Sequence, residues 1–349
     1  MSKIRVGIIG CGVIAPTHIE SYQKHLDVEI TWACDLLPDR AQRLAEKYGI
    51  PRTGTEAAEV FAAGDVDAVS VCTDHASHAV LCEAALNAGK DVLCEKALSS
   101  SREGLKRILS AAHKHRKSRI FGGVFQHRFE PVNRQMRQYI SDGVLGQMLT
   151  AGVQMRCLRT KDYYRADSWR GTWAEEGGSV LINQAIHYID QLQWQMGGAE
   201  SVSGIYANLT HGDVIETEDT AVAAIRFSNG ALGTLEATCS SHIGWEPTLS
   251  FHGTEGSVEL RNDQPVKVLF LDAALGQRVR EQLESCRNLP PEAIGKSYYG
   301  TGHFAQIADF LDAVRERREP YVTIESSAQT VELIFALYES HRSKRQRKV

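Results

Sequence analysis

The chain has 349 residues, more than one compact core usually holds at a soft prior of roughly 150 residues per domain, so two domains are expected. Apolar residues make up 43% and charged residues 23%, which excludes a largely disordered, collagen-like or coiled-coil protein. A formal charge of −4 leaves no electrostatic footprint for nucleic acid outside a short basic tail at 342–348, read as a solvated chain end.

No stretch approaches the roughly 18 uninterrupted apolar residues that a spanning helix needs, and the N-terminal apolar run is too short for a signal segment. The expectation is a cytoplasmic, soluble protein without a membrane partner. The eight cysteines form no C-x-x-C pair and several lie in apolar runs, so they read as reduced core residues. No His/Cys/carboxylate cluster has metal-ligand spacing, and no metal is expected.

Ile4 to Ile9 is a β-rich run that ends in Gly10-Cys11-Gly12-Val13-Ile14-Ala15, followed by helix-compatible residues through about Lys24. Strand, glycine turn and helix form the context that a G-x-G-x-x-G/A motif requires. Gly10 permits the tight turn, Gly12 lets the backbone approach a pyrophosphate, and small Ala15 lets the helix pack on the strand with its N-terminus toward the phosphates. A second strand, 28–34, ends at Asp35. A carboxylate there binds adenosine ribose hydroxyls and repels a 2′-phosphate, which favours NAD over NADP. The other reading of Asp35 is a cap that turns the chain into a helix near 38–48.

Strands at 68–72 and 91–94, helices near 77–88 and 101–115, and a further strand around 120–125 continue the alternation. They predict a doubly wound parallel sheet, the Rossmann arrangement, whose ligand lies at the strands' carboxyl ends: Gly10–Ala15, Asp35, Thr73–His78 and Glu95–Lys96.

From about Gly146 the pattern becomes period-two, with strands at 148–157, 201–209, 219–227, 231–239, 248–253 and 257–261. This predicts an open, mostly antiparallel sheet of about six strands with helices, whose uncovered face serves a homodimer or homotetramer. The expected domains are 1–124 for dinucleotide binding and 125–349 for substrate binding and oligomerisation, with the final helices free to pack back on the first. Residues 272–299, with Pro290-Pro291, read as an irregular loop.

Gly178 precedes a predicted helix with Leu181, Ile182, Ala185, Ile186, Ile189 and Leu192 on its apolar side. Asn183 and His187, four residues apart, are expected one turn apart on one face, with Asp190 three residues on. Loss of hydride from an alcohol also requires loss of the hydroxyl proton, and histidine suits that base role near neutral pH. The alternative is a satisfied core histidine. Tyr163-Tyr164-Arg165 and Trp169-Arg170 mix aromatic faces with guanidinium forks, as a sugar pocket wall does, although aromatics are also common core material.

Four blocks, Gly10–Ala15, Gly89–Lys96, Gly177–Asp190 and Gly302–Phe310, resemble the Gfo/Idh/MocA oxidoreductases, which act on sugars, cyclitols and nucleotide sugars with nicotinamide cofactors. Arg128-Phe129-Glu130-Pro131 resembles a further family element at the domain junction. The resemblance implies that Gly10, Gly12, Val13, Ile14, Ala15, Asp35, Thr73, His78, Glu95 and Lys96 bind the cofactor. Together with the pocket-wall residues Tyr163, Tyr164, Arg165 and Trp169, it makes Lys96, Arg128, Asn183 and His187 the residues expected to face the substrate. Lys96 steadies the developing alkoxide, His187 is the base, and Asn183, where many relatives carry Asp, orients the substrate; Asp at 183 is expected to be tolerated. Ala97 replaces the proline of the family's Glu-Lys-Pro, and Thr73-Asp74-His75 departs from its Thr-Pro-Asn. The implied activity is hydride transfer between nicotinamide and a ring hydroxyl or ketone of a sugar or sugar derivative. The alternatives are a redox-assisted glycoside- or acetal-cleaving enzyme that recycles NAD and a non-catalytic NAD-binding regulator; the joint presence of Lys96 and His187 argues against the latter.

Overall fold

The computed structural model describes residues 3–286 and 302–349. They divide into two compact units, 3–126 with 302–328, and 127–286 with 329–349.

In the first unit, β1 (Ile4–Ile9), α1 (Ala15–Gln23), β2 (Val28–Cys34), α2 (Pro38–Tyr48), β3 (Arg52–Gly54), α3 (Ala57–Ala62), β4 (Ala68–Val71), α4 (His75–Asn87), β5 (Asp91–Cys94), α5 (Arg102–His115) and β6 (Phe121–Gly123) alternate along the chain. The six strands are parallel in the order β3-β2-β1-β4-β5-β6, the doubly wound order in which ligands gather at the carboxyl edge. β4 and β5 are buried at every position, as central strands covered on both faces must be. Ile307, Phe310 and Leu311, from a helix late in the chain, complete the core around Ile8, Ile19 and Tyr22.

The second unit holds a 3₁₀ turn (Gln126–Phe129), α6 (Pro131–Ser141), β7 (Met148–Leu158), α7 (Lys161–Arg165), a π-helical turn (Val180–Gln184), α8 (Ile186–Gln195), β8 (Ala199–Ala207), β9 (Thr220–Phe227), β10 (Leu232–Thr238), β11 (Ser240–Gly253), β12 (Gly256–Arg261), β13 (Gln264–Phe270) and α9 (Ala273–Ser285). Then come α10 (Gly302–Glu316), which belongs to the first unit, α11 (Ile324–Ser343), through which the division passes, and β14 (Arg347–Lys348).

The second sheet runs β13-β12-β11-β7-β10-β9-β8-β14 and is antiparallel except for β7 with β10. It therefore has eight strands where about six were expected. β13 follows a two-residue turn, and the chain end at Arg347–Lys348 pairs with Val202 and Ser201 instead of trailing in solvent. Residues 273–285, expected to be irregular, are helical because the Asp272 side chain caps the N–H groups of Ala274 and Leu275; 287–299 lie outside the described residues. One face of the sheet buries Val153, Met155, Ile225, Leu235 and Phe251. The other mixes Ile205, Val222 and Leu232 with Thr150, Gln154 and the ion pairs Arg156–Glu236 and Lys267–Glu259, so it is not the apolar face expected for an oligomer interface. The eight cysteines are unpaired, and seven are buried. Among the described residues no helix is long and apolar enough to cross a membrane.

Candidate active site

The carboxyl edge of the first sheet begins with the glycine loop. Gly10 has φ +90°, and a Cβ there would lie 2.7 Å from the backbone of Cys72, so only glycine fits the turn. At Gly12 a Cβ would meet no heavy atom within 4 Å, which leaves the backbone open to a ligand. Val13 is exposed and Ala15, the first residue of α1, is buried. The helix starts after Ile14 without a side-chain cap; Pro16 carries no N–H and the Thr17 N–H donates to the Ile14 carbonyl oxygen at 3.0 Å, so an anion here would be met by the loop backbone and the Ala15 N–H. These features fit the pyrophosphate of a dinucleotide.

Asp35 follows β2. Its Oδ2 accepts the N–H of Cys11 at 2.8 Å and its Oδ1 the N–H of Leu37 at 2.9 Å. It thus turns the chain toward α2, as the capping reading expects, and it also braces the glycine loop. Leu36 and Leu37 beside it are exposed.

After β4, the Thr73 hydroxyl accepts from Ser77, and Asp74 caps α4 through the N–H of Ser77. His78, expected to touch the cofactor, is fully buried; its Nδ1 lies 2.8 Å from the Ala97 carbonyl oxygen and its Nε2 3.2 Å from that of Thr73. Its ring links two loops of the edge. The Lys96–Ala97 peptide is cis.

Glu95, also expected at the cofactor, is likewise buried. Its Oε1 accepts from His18 Nε2 at 2.9 Å and lies 3.9 Å from His303 Nε2, and its Oε2 accepts the Lys96 N–H at 3.1 Å. Burial disfavours charge on both partners. Even so, His18, His303 and Lys96 hold Glu95 below the usual carboxylate range, and Cys72 and Glu95 push His18 up. The carboxylate anchors the backbone of half-buried Lys96.

In the second unit, the segment expected to be one helix is broken. Residues 180–184 form a π-helical turn in which the Ala185 N–H reaches back to Val180, and α8 begins at Ile186. The simple four-residue spacing of Asn183 and His187 does not apply across that break, yet both residues reach the surface. Between Glu176 and Gln193 they are the only two positions not buried. The Asn183 amide donates to Glu176 Oε1, and Glu176 Oε2 accepts the Gly171 N–H. The His187 ring lies 5.2 Å from that of His127.

Arg128, expected to face substrate, is 1% exposed; its Nε donates to Asp190 Oδ2 at 2.7 Å and its guanidinium lies 5.5 Å from the Trp194 ring. Asp190 is therefore the partner of Arg128 and of Thr330, whose hydroxyl donates at 2.6 Å. Tyr164 is buried, with its hydroxyl 2.8 Å from Ser179. Arg165 is exposed and pairs with Asp162 and Asp213. Tyr163 and Trp169 are half-buried. The Tyr163 ring has Arg170 at 4.2 Å and Arg159 at 5.0 Å, and its hydroxyl accepts from Gln184. Burial pushes both tyrosines up, which makes either a poor base. Of the expected substrate residues, Asn183, His187, Tyr163, Arg165 and Trp169 keep accessible surface in this unit, and Arg128 and Tyr164 do not. Sequence reasoning missed Glu176, His127 and Glu218: Asp263 and Tyr338, the partners of the last two, are distant along the chain, whereas Glu176 meets Gly171 and Asn183 nearby.

A 3-2-1-4-5-6 parallel sheet with an open glycine loop and an uncapped helix start at its carboxyl edge defines a dinucleotide-binding protein. Two family profiles match the sequence: "Oxidoreductase family, NAD-binding Rossmann fold" at residues 4–122 and "Oxidoreductase family, C-terminal alpha/beta domain" at 137–349. The chain belongs to the Gfo/Idh/MocA oxidoreductase family. It is 26% identical to myo-inositol 2-dehydrogenase of Thermotoga maritima, over 98% of this chain and 97% of that protein. It is 30% identical to D-glucoside 3-dehydrogenase of Escherichia coli, over 69% and 72%. The WlbA dehydrogenase from Bordetella pertussis, solved in complex with NADH and UDP-GlcNAcA, superposes with a TM-score of 0.90 at 27% identity, covering 100% of this chain and 98% of that one.

Proposed function

We propose that this protein is an NAD-dependent dehydrogenase of a sugar or sugar derivative, acting on a ring carbon that bears a hydroxyl. The observation that carries the reading is the pair Asn183 and His187, the only accessible positions in an otherwise buried stretch, on a chain that also carries Lys96 at the carboxyl edge of a dinucleotide-binding sheet. The similarity to cyclitol and glycoside dehydrogenases supports the substrate class.

The glycine loop 10–14 and the start of α1 hold the pyrophosphate, and Asp35 holds the adenosine ribose. The nicotinamide, when bound, supplies the hydride acceptor. His187 takes the proton of the reacting hydroxyl, and the Lys96 ammonium donates a hydrogen bond to the oxygen as negative charge builds on it. Asn183, whose amide is oriented by Glu176, hydrogen-bonds a neighbouring hydroxyl.

The test is NAD reduction against a panel of cyclitols, hexoses, glycosides and nucleotide sugars. On the best substrate, His187→Ala is expected to lower turnover by roughly 10²–10⁴ with NAD affinity unchanged. Lys96→Ala is expected to lower turnover and weaken substrate binding together. Retention of most turnover by His187→Ala, with a deuterium isotope effect showing that chemistry limits the rate, would overturn the base assignment.

A further inference from the structure

The β12–β13 hairpin closes in two residues, Asn262 and Asp263, between the paired Arg261 and Gln264. Both have positive φ, 49° and 55°, as the tight turn that matches strand twist requires, and Asn and Asp tolerate that conformation. The turn directs its carboxylate into the unit: the Asp263 side chain is 13% exposed. Asp263 Oδ2 accepts from His127 Nδ1 at 2.7 Å, and Oδ1 accepts from Asn133 Nδ2 at 2.9 Å. The same Asn133 amide donates to the His127 carbonyl oxygen at 2.9 Å, so the imidazole is fixed through both its ring and its backbone.

That ring packs at 5.2 Å from His187 and 5.1 Å from Tyr188, both on α8. The charged groups around His127 are Asp263 on the hairpin, Glu130 just before α6 and Asp190 on α8. Burial favours the neutral ring, and these three carboxylates, Asp263 foremost, favour the cation. The outcome is an upward shift for His127, with Asp263 held down by His127 and Asn133. The ring in contact with His187 is thus the one whose protonated form Asp263 favours.

We infer that the Asp263–His127 pair is a positioning element for His187, holding a cationic imidazole against it so that His187 stays neutral and ready to accept a proton. A neighbouring positive charge disfavours protonation of His187, which extends its use as a base to lower pH. The inference rests on His187 being the base of the proposed dehydrogenase. It is distinguished from that assignment by reading the titration of His187 directly.

The experiment uses the full-length protein with ¹³C-labelled histidine and follows the His187 ring resonance through a pH titration, alongside pH profiles of kcat/KM on the best substrate. Asp263→Asn keeps an acceptor for Asn133 but removes the carboxylate that charges His127. His187 is then expected to titrate higher by roughly half to one pH unit. The acid limb of the rate profile is expected to move with it, while the alkaline plateau keeps its height. His127→Gln, which removes the cation itself, is expected to give the same direction of shift. An unchanged His187 titration in both variants, with melting curves showing them folded, overturns the inference whatever the rates do. A shifted titration with an unmoved rate profile supports the coupling and refutes His187 as the base.

Discussion

The Tyr338 hydroxyl on α11 donates to Glu218 Oε1 at 2.8 Å, and the same carboxylate accepts the N–H groups of Ser179 and Leu181 at 3.0–3.1 Å. Gly178, at φ +147°, passes so close that a Cβ there would lie 2.0 Å from the tyrosine oxygen. One buried acid therefore caps the π-helical turn that carries Asn183, and the backbone before it must be glycine.

Burial pushes Glu218 up to about 7, against the opposing pull of these hydrogen bonds. The folded state thus binds its proton more tightly than the unfolded state, where the ordinary value is 4.5. The stability this group contributes is complete below pH 4.5 and is lost as pH rises through about 7. Glu218→Gln keeps the Oε1 acceptor and removes the titration. Melting temperatures measured across that window are expected to fall with pH in the parent protein and to fall less in the variant.

Arg128 and Asp190 give a prediction that separates packing from substrate binding. Both side chains are 1% exposed, so removal of one partner leaves an uncompensated buried charge. Arg128→Ala is expected to cost about 3–5 kcal/mol by chemical denaturation. Replacing both by apolar residues, Arg128→Met with Asp190→Leu, is expected to cost less. If Arg128→Ala keeps full stability and only raises KM, Arg128 belongs to the substrate site after all.

What the sequence made legible was local. The glycine spacing at 10–15, the carboxylate that closes β2 and the period-two strands each depend on residues within one element, so the parallel sheet and most of the second sheet could be read directly. What it hid depends on partners far along the chain. β14 has two residues and exists only because β8 offers an edge, and Arg128 resembles a ligand-binding arginine until Asp190, 62 residues on, is seen to hold it. The π-helical turn defeats a periodicity argument because it changes the period itself. One missed feature did have a local signal: Asn262-Asp263 between two alternating runs marks a hairpin, as Asn229-Gly230 does between the antiparallel strands β9 and β10.

Cofactor choice turns on Asp35. Its carboxylate braces the glycine loop through the Cys11 N–H, and a 2′-phosphate brought to this site meets like charge. NAD is expected to bind more tightly than NADP in fluorescence titrations. Asp35→Ser, which keeps an acceptor for the loop, is expected to narrow the preference by about tenfold, or 1.4 kcal/mol. Asp35→Ala is expected to narrow it too, but to weaken NAD further through the lost loop bond. Equal binding of NAD and NADP by the unmodified protein would refute the argument.

Asn183 reverses an expectation drawn from the sequence. The family resemblance implies Asp at this position in many relatives, so on sequence grounds Asn183→Asp restores a common arrangement. In this chain, however, the Asn183 amide is the donor to Glu176 Oε1, and Glu176 is fully buried with its other oxygen on the Gly171 N–H. An aspartate at 183 brings a second carboxylate against the first, and two such groups cannot both stay ionised, so one must take up a proton at a cost near neutral pH. Asn183→Asp is therefore expected to lower the melting temperature by several degrees and kcat/KM by about tenfold or more, a cost of roughly 1–3 kcal/mol for a buried acceptor that loses its donor. Glu176→Gln in the Asn183→Asp background returns a donor to the pair and is expected to recover most of both losses. A double-mutant cycle should give a coupling between the two positions of about 1–3 kcal/mol. If Asn183→Asp alone matches the parent protein in stability and turnover, Glu176 does not dictate the residue at 183, and the asparagine reflects some demand of the substrate instead.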